Sequence, residues 1–107
     1  MAITITQDNF DKVVIQSTQP VIIDVYASWC GPCQQMEPIF EELEKELGHL
    51  YTFAKLNVDE ARDISTHYGV TSIPTFILIK NNEVRSKLLG YKSKAALKEK
   101  IQEAFAD

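Results

Sequence analysis

Hydrophobic positions along the chain change period several times, and each change marks an element. Ile3 to Ile5 reads as a short strand. Phe10, Val13 and Val14 then share the inner face of a helix that Thr6 or Asp8 can cap and that runs through Gln16. Val21 to Ala27 is nearly all apolar and β-rich, as expected of a central strand covered on both faces. Met36, Ile39, Phe40, Leu43 and Leu47 recur at helical spacing, which predicts the longest amphipathic helix, ending at Gly48. Pro38 lies inside that helix and is expected to kink it, because it removes a backbone donor and crowds the preceding turn.

Tyr51 to Val58 reads as a third strand, and Ala61 to Tyr68 as a short helix stopped by Gly69. Thr75 to Lys80 and Val84 to Leu89 flank Asn81-Asn82, a two-residue hairpin turn. Ser93 can cap a last helix that buries Leu97, Ile101, Ala104 and Phe105. The order βαβαβαββα implies an α/β fold with a mixed sheet and helices on both faces. Its first three strands are expected to be parallel and its hairpin antiparallel.

With 107 residues, 45% hydrophobic and 24% charged, the chain is expected to form one domain over 1–107 with a self-sufficient core. Eleven Lys and Arg against fifteen Asp and Glu give a net charge of −4, which disfavours nucleic acid as a partner. The N-terminus carries no signal-peptide pattern. The longest apolar run, Pro20 to Ala27, is broken by Asp24 and too short to span a bilayer. A cytoplasmic protein without a membrane partner is expected.

Only two cysteines occur, in Trp29-Cys30-Gly31-Pro32-Cys33, where the central strand passes into the long helix. Pro32 suits the first helical turn, where a missing N–H costs nothing. Cys30 then faces the unpaired backbone donors and the positive end of the helix, which favour the thiolate. A favourable terminus supplies up to about 2 kcal/mol to an anion, enough to lower a thiol pKa by about 1.5. One helical turn also brings two cysteines within bonding range. Cys30 can therefore attack a substrate disulfide, and Cys33 can resolve the mixed disulfide from one turn away. A zinc site is the competing reading. His49 follows Cys33 at a usable distance, but His67 lies far beyond the ligand spacing such sites need. A buried, inert pair is disfavoured because a Gly-Pro helix start is an exposed location. Neither histidine is given a role; both are expected at exposed helix ends.

Asp24 interrupts the apolar run, so a central-strand assignment buries it and raises its pKa toward neutrality. It can then take a proton from Cys33, or it can be a structural carboxylate paired with a lysine such as Lys55 on the adjacent strand. The residues alone leave both open. Pro74, by base rate, is an ordinary trans proline.

Trp29-Cys30-Gly31-Pro32-Cys33, with Asp24 upstream and Ile73-Pro74-Thr75 downstream, closely resembles the pattern of the thioredoxin family. The resemblance continues through Ala54-Lys55-Leu56-Asn57, Tyr68-Gly69 and Gly90. It implies the thioredoxin fold, a five-stranded mixed central sheet flanked by four helices, and reduction of protein disulfides in electron transport and cell redox homeostasis. It makes Cys30 the nucleophile, Cys33 the resolving thiol and Asp24 a buried proton acceptor modulated by Lys55. It implies that Pro74 is cis and packs beside the cysteines, with Ile73 offering backbone groups to an extended substrate. Trp29, Gly31, Pro32, Ile73, Pro74 and Gly90 would form the docking surface. No cofactor or metal is implied on the chain, which would act as a monomer. Its electrons would come from NADPH through a separate, flavin-containing thioredoxin reductase. Three positions depart from the common pattern: Tyr26 where tryptophan is frequent, Gln34 for a lysine, and Asn82 for a turn glycine.

Gly31-Pro32 supplies no charge that would stabilise a reduced form, which favours a reductase over an oxidase or isomerase. A non-enzymatic interaction subunit using the apolar surface around Trp29 and Pro74 is the alternative from another class. It predicts that Cys30→Ser keeps the biological activity.

Overall fold

The structure is a computed structural model that describes residues 2–106; Met1 and Asp107, the ends of the expected domain, lie outside the described residues. The apolar run folds as β2 (Val21–Tyr26), the middle strand of a five-stranded sheet. Around it lie β1 (Ile3–Thr4), β3 (Thr52–Asn57), β4 (Thr75–Lys80) and β5 (Glu83–Leu89), in the order β1-β3-β2-β4-β5. β3 runs parallel to both β1 and β2, whereas β4 is antiparallel to β2 and to β5. This is the mixed sheet expected from the order of elements.

The pleat sorts the side chains of β2 between two layers. Val21, Ile23 and Val25 pack with Ile5, Val14, Ile64 and Tyr68 on one face. Ile22 packs on the other with Phe53, Phe76 and Leu78, beneath α1 (Gly31–Leu47) and α3 (Lys94–Phe105). Met36, Phe40 and Leu43 of α1 and Leu97 and Ile101 of α3 meet them there. Burying each such side chain contributes about 1.5–3 kcal/mol, so these layers hold the sheet. By the same alternation Asp24 falls on the face of Ile22, under α1.

Local signals account for most element ends. Asn81 and Asn82 both take left-handed φ, 53° and 60°, as a two-residue turn between β4 and β5 requires. Ser93 Oγ accepts the Ala96 N–H at 3.2 Å and starts α3. α2 (Arg62–His67) stops before Gly69, whose φ is 69°. α1 continues through Pro38. His49 and His67 are exposed, as expected.

The first expected helix takes another form. Asp11–Ile15 is a π-helical segment in which the Gln16 N–H reaches the Asp11 carbonyl, five residues back, at 2.9 Å. Thr6 does not cap this segment, which follows Phe10 without a side-chain cap; Thr6 closes the turn before it, its Oγ1 accepting the Asn9 N–H at 3.2 Å while Asn9 Oδ1 accepts the Thr6 N–H at 2.8 Å. The wider turn keeps Val14 buried, so packing of the apolar face decides over a regular α-helical ladder. Three α-helices and this segment therefore flank the sheet among the described residues. None of the helices is long and apolar enough to cross a membrane among the described residues.

Candidate active site

Cys30 is the residue before α1 and caps it. Its backbone is extended, with φ −91° and ψ 114°, and its Sγ accepts the Cys33 N–H at 3.2 Å. A sulfur in this position meets a backbone donor that the helix leaves unpaired. Cys30 and Cys33 are disulfide-bonded with their Cα atoms 5.2 Å apart, within the range of about 4.4–6.8 Å that such bonds accept. The cysteines are more buried than a Gly-Pro helix start leads one to expect. Gly31 and Pro32 are exposed and Trp29 is 70% exposed, yet Cys30 is only 6% and Cys33 only 4% exposed. The pair tucks against Ala27, Tyr26, Val58 and Ile73, which shield the sulfurs although the helix start itself is open.

Asp24 is 1% exposed, and its Oδ1 accepts no hydrogen bond from the described residues. Burial pushes its pKa up to about 7; the Lys55 ammonium pulls it down and the Glu37 carboxylate adds a further upward push. Lys55 stands directly across from Asp24 in the β2–β3 register. The ion pair Lys55 makes, however, is with Glu37, Nζ to Oε1 at 3.7 Å, and its Nζ lies 4.6 Å above the Tyr26 ring. Asp24, Lys55, Glu37, Tyr26 and Cys33 line one open cavity of about 450 Å³. The buried carboxyl and the second cysteine thus border the same solvent-open cavity.

A second groove lies on the outer side of the cysteine turn, lined by Trp29, Val58, Asp59, Arg62 and Ile73 among others. The Trp29 indole N–H donates to Asp59 Oδ2 at 2.8 Å, which fixes a mostly exposed ring. The Ile73-Pro74 bond is cis. The base-rate reading of a trans bond is thereby corrected, while the family resemblance implied the observed form. Gly90, at φ 85°, donates its N–H to the Pro74 carbonyl at 2.8 Å, tying the end of β5 to the same corner. The site residues expected from sequence thus divide: Asp24, Lys55 and Cys33 share the cavity, Trp29 and Ile73 share the groove, and Gly31 and Pro32 lie exposed between the cysteines.

Two participants escaped the sequence reading. Glu37 follows Cys33 by one helical turn, the i, i+4 spacing that puts both on one face of α1, and that spacing was the available signal. Asp59 lies thirty residues from Trp29 and carries no local signal. Among the departures from the family pattern, Tyr26 supplies the ring beneath Lys55, and Gln34 donates from Nε2 to the Ser28 carbonyl at 2.7 Å. Among the described residues no group of three or more His, Cys, Asp or Glu could hold a metal ion.

Comparison with known proteins agrees with this geometry. The thioredoxin family model matches residues 1–103. The chain is 39% identical over 105 residues to a thioredoxin of Rickettsia felis, covering 98% of this chain and 100% of that protein. It is 40% identical over 102 residues to a thioredoxin of Alicyclobacillus acidocaldarius, covering 95% of this chain and 96% of that one. It is 41% identical over 98 residues to a chloroplastic M-type thioredoxin of Pisum sativum, covering 92% of this chain and 57% of the pea protein. With matches of this extent around a bonded cysteine pair that opens a helix, the chain belongs to the thioredoxin family and is a protein-disulfide reductase.

Proposed function

We propose that this chain reduces protein disulfides in the cytoplasm as a single-domain monomer, with Cys30 as nucleophile, Cys33 as resolving thiol and Asp24 as proton acceptor. In the reduced protein the Cys30 thiolate attacks one sulfur of a substrate disulfide. A Cys30–substrate bond forms and the other substrate sulfur leaves as a thiolate. Asp24 takes the Cys33 proton, and the Cys33 thiolate attacks the Cys30 sulfur. The Cys30–Cys33 bond closes and the second substrate sulfur leaves, so two electrons have passed to the substrate. The observation that carries this reading is the cavity shared by Cys33 and Asp24, behind a first cysteine that caps a helix.

Recognition follows from the groove beside the cysteines. Trp29, Gly31, Pro32, Ile73, Pro74 and Gly90 form the docking surface in this reading, and the Ile73 backbone pairs with an extended substrate segment. Lys55 moderates the cost of ionising Asp24. Electrons arrive from NADPH through a separate thioredoxin reductase, which binds transiently.

The direction of the reaction is tested by turnover and by potential together. With NADPH, thioredoxin reductase and a disulfide protein, the chain is expected to sustain NADPH oxidation. Equilibration with glutathione buffers is expected to give a midpoint below about −230 mV, because Gly31-Pro32 adds no charge favouring the dithiol. A midpoint above about −180 mV, with no turnover, would instead mark an oxidase or isomerase.

A further inference from the structure

We propose that Glu37 is a positioning residue of this site, drawing Lys55 to the rim of the cavity and thereby setting the pH at which Asp24 can accept the Cys33 proton. The inference rests on the proton-acceptor reading of Asp24 and assigns that group a regulator. Three observations carry it. Glu37 lines two cavities that reach Asp24: the one it shares with Cys33, and a smaller one of about 170 Å³ formed with Phe40, Glu41, Thr4 and Lys55. Its Oε1 holds Lys55 Nζ at 3.7 Å, although Lys55 is the register partner of Asp24. Its side chain is 56% exposed where that of Lys55 is 23% exposed, so Glu37 is the more solvent-open partner of the pair.

The charged and titratable groups around Asp24 are few. β3 presents Lys55, α1 presents Cys33 and Glu37 with Glu41 lining the smaller cavity, and β2 itself adds Tyr26. β4 places Phe76 opposite and contributes no charge there. Among the described residues Lys55 is thus the one cation lining these cavities, and it has two carboxyl groups to serve. An ammonium shared with Glu37 neutralises Asp24 less than one free to approach it, and Glu37 adds its own repulsion. Both effects favour the protonated acid, and both disappear when Glu37 loses its charge. The device is open to solvent at one end, so its strength falls with added salt.

The test is a carboxyl NMR titration of Asp24 in the oxidised wild type and in Glu37→Gln, Glu37→Asp and Lys55→Met. Glu37→Gln is expected to lower the Asp24 midpoint by about half a pH unit or more at low ionic strength, the effect of one charge removed across a solvated cavity. Glu37→Asp keeps the wild-type midpoint to within a smaller shift, and Lys55→Met raises it. In the Lys55→Met background the Glu37→Gln shift shrinks, because part of it passes through the ammonium. An unchanged midpoint in Glu37→Gln at low salt, with Asp24 still titrating near neutrality, overturns the role of Glu37. Failure of the parent reading looks different: the midpoint moves, but Asp24→Asn resolves mixed disulfides at the wild-type rate.

Discussion

Asparagine in place of Asp24 is expected to raise the unfolding free energy at pH 8 by about 2–4 kcal/mol and to slow turnover at least about tenfold. The stability gain follows from the cost of an ion in a dry place. Asp24 ordinarily ionises near 3.8, whereas in the fold burial raises that value to about 7. Between these values the folded protein binds a proton that the unfolded chain has already released. Stability is therefore complete below about pH 4, declines as pH rises through the interval, and levels off above about pH 7. A shift of about three units corresponds to about 4 kcal/mol. Asparagine abolishes the decline but brings an amide whose N–H groups need partners, which explains the lower end of the range. Chemical denaturation of both proteins at pH 4, 6 and 8 checks it. The variant's stability relative to wild type should rise between pH 4 and pH 8. Equal stability at pH 8 would show that the carboxylate is not penalised by its surroundings. A more stable variant with unchanged turnover would make Asp24 a structural residue only.

The cysteine variants give the second large effect, and they are not equivalent. Cys30→Ser removes the sulfur proposed to attack and is expected to abolish turnover and leave no covalent complex with substrate. Cys33→Ser leaves the attack intact but removes the group held one turn away. Its turnover falls at least about a thousandfold, because a neighbouring group acts at an effective concentration that free thiols cannot reach. The mixed disulfide with Cys30 then accumulates and is seen on a non-reducing gel. Accumulation in Cys30→Ser instead would reverse the two roles. Retained biological activity in Cys30→Ser would point to the interaction-subunit reading.

The parts of the fold that could be read from the chain are those governed by near neighbours. The β2 run, the Asn81-Asn82 turn, the Ser93 cap and the α1 stripe from Met36 to Leu47 each carry their cause within a few residues. The same holds for the cysteine pair, since a helix start and one turn of spacing suffice to bring Cys30 and Cys33 together. What sequence could not supply depends on partners distant along the chain. The π-helical turn at Asp11–Ile15 answers to how Val14 packs, not to its own period. The cis bond between Ile73 and Pro74 has no local signal that distinguishes it from the common trans form. The sulfurs are shielded by Val58 and Ile73, far along the chain from the cysteine turn. Lys55 could be guessed as the neighbour of Asp24, but that its ion pair goes to Glu37 required the two helix and strand faces to be set against each other.

The whole account depends on Cys30 reacting as an anion at the head of α1. The direct measurement is the pH dependence of alkylation of the reduced protein, with the modified cysteine identified by peptide mapping. The expected result is labelling of Cys30 first, with a midpoint well below the ordinary thiol value of about 8.5. A midpoint at that ordinary value, or faster labelling of Cys33, would contradict the mechanism.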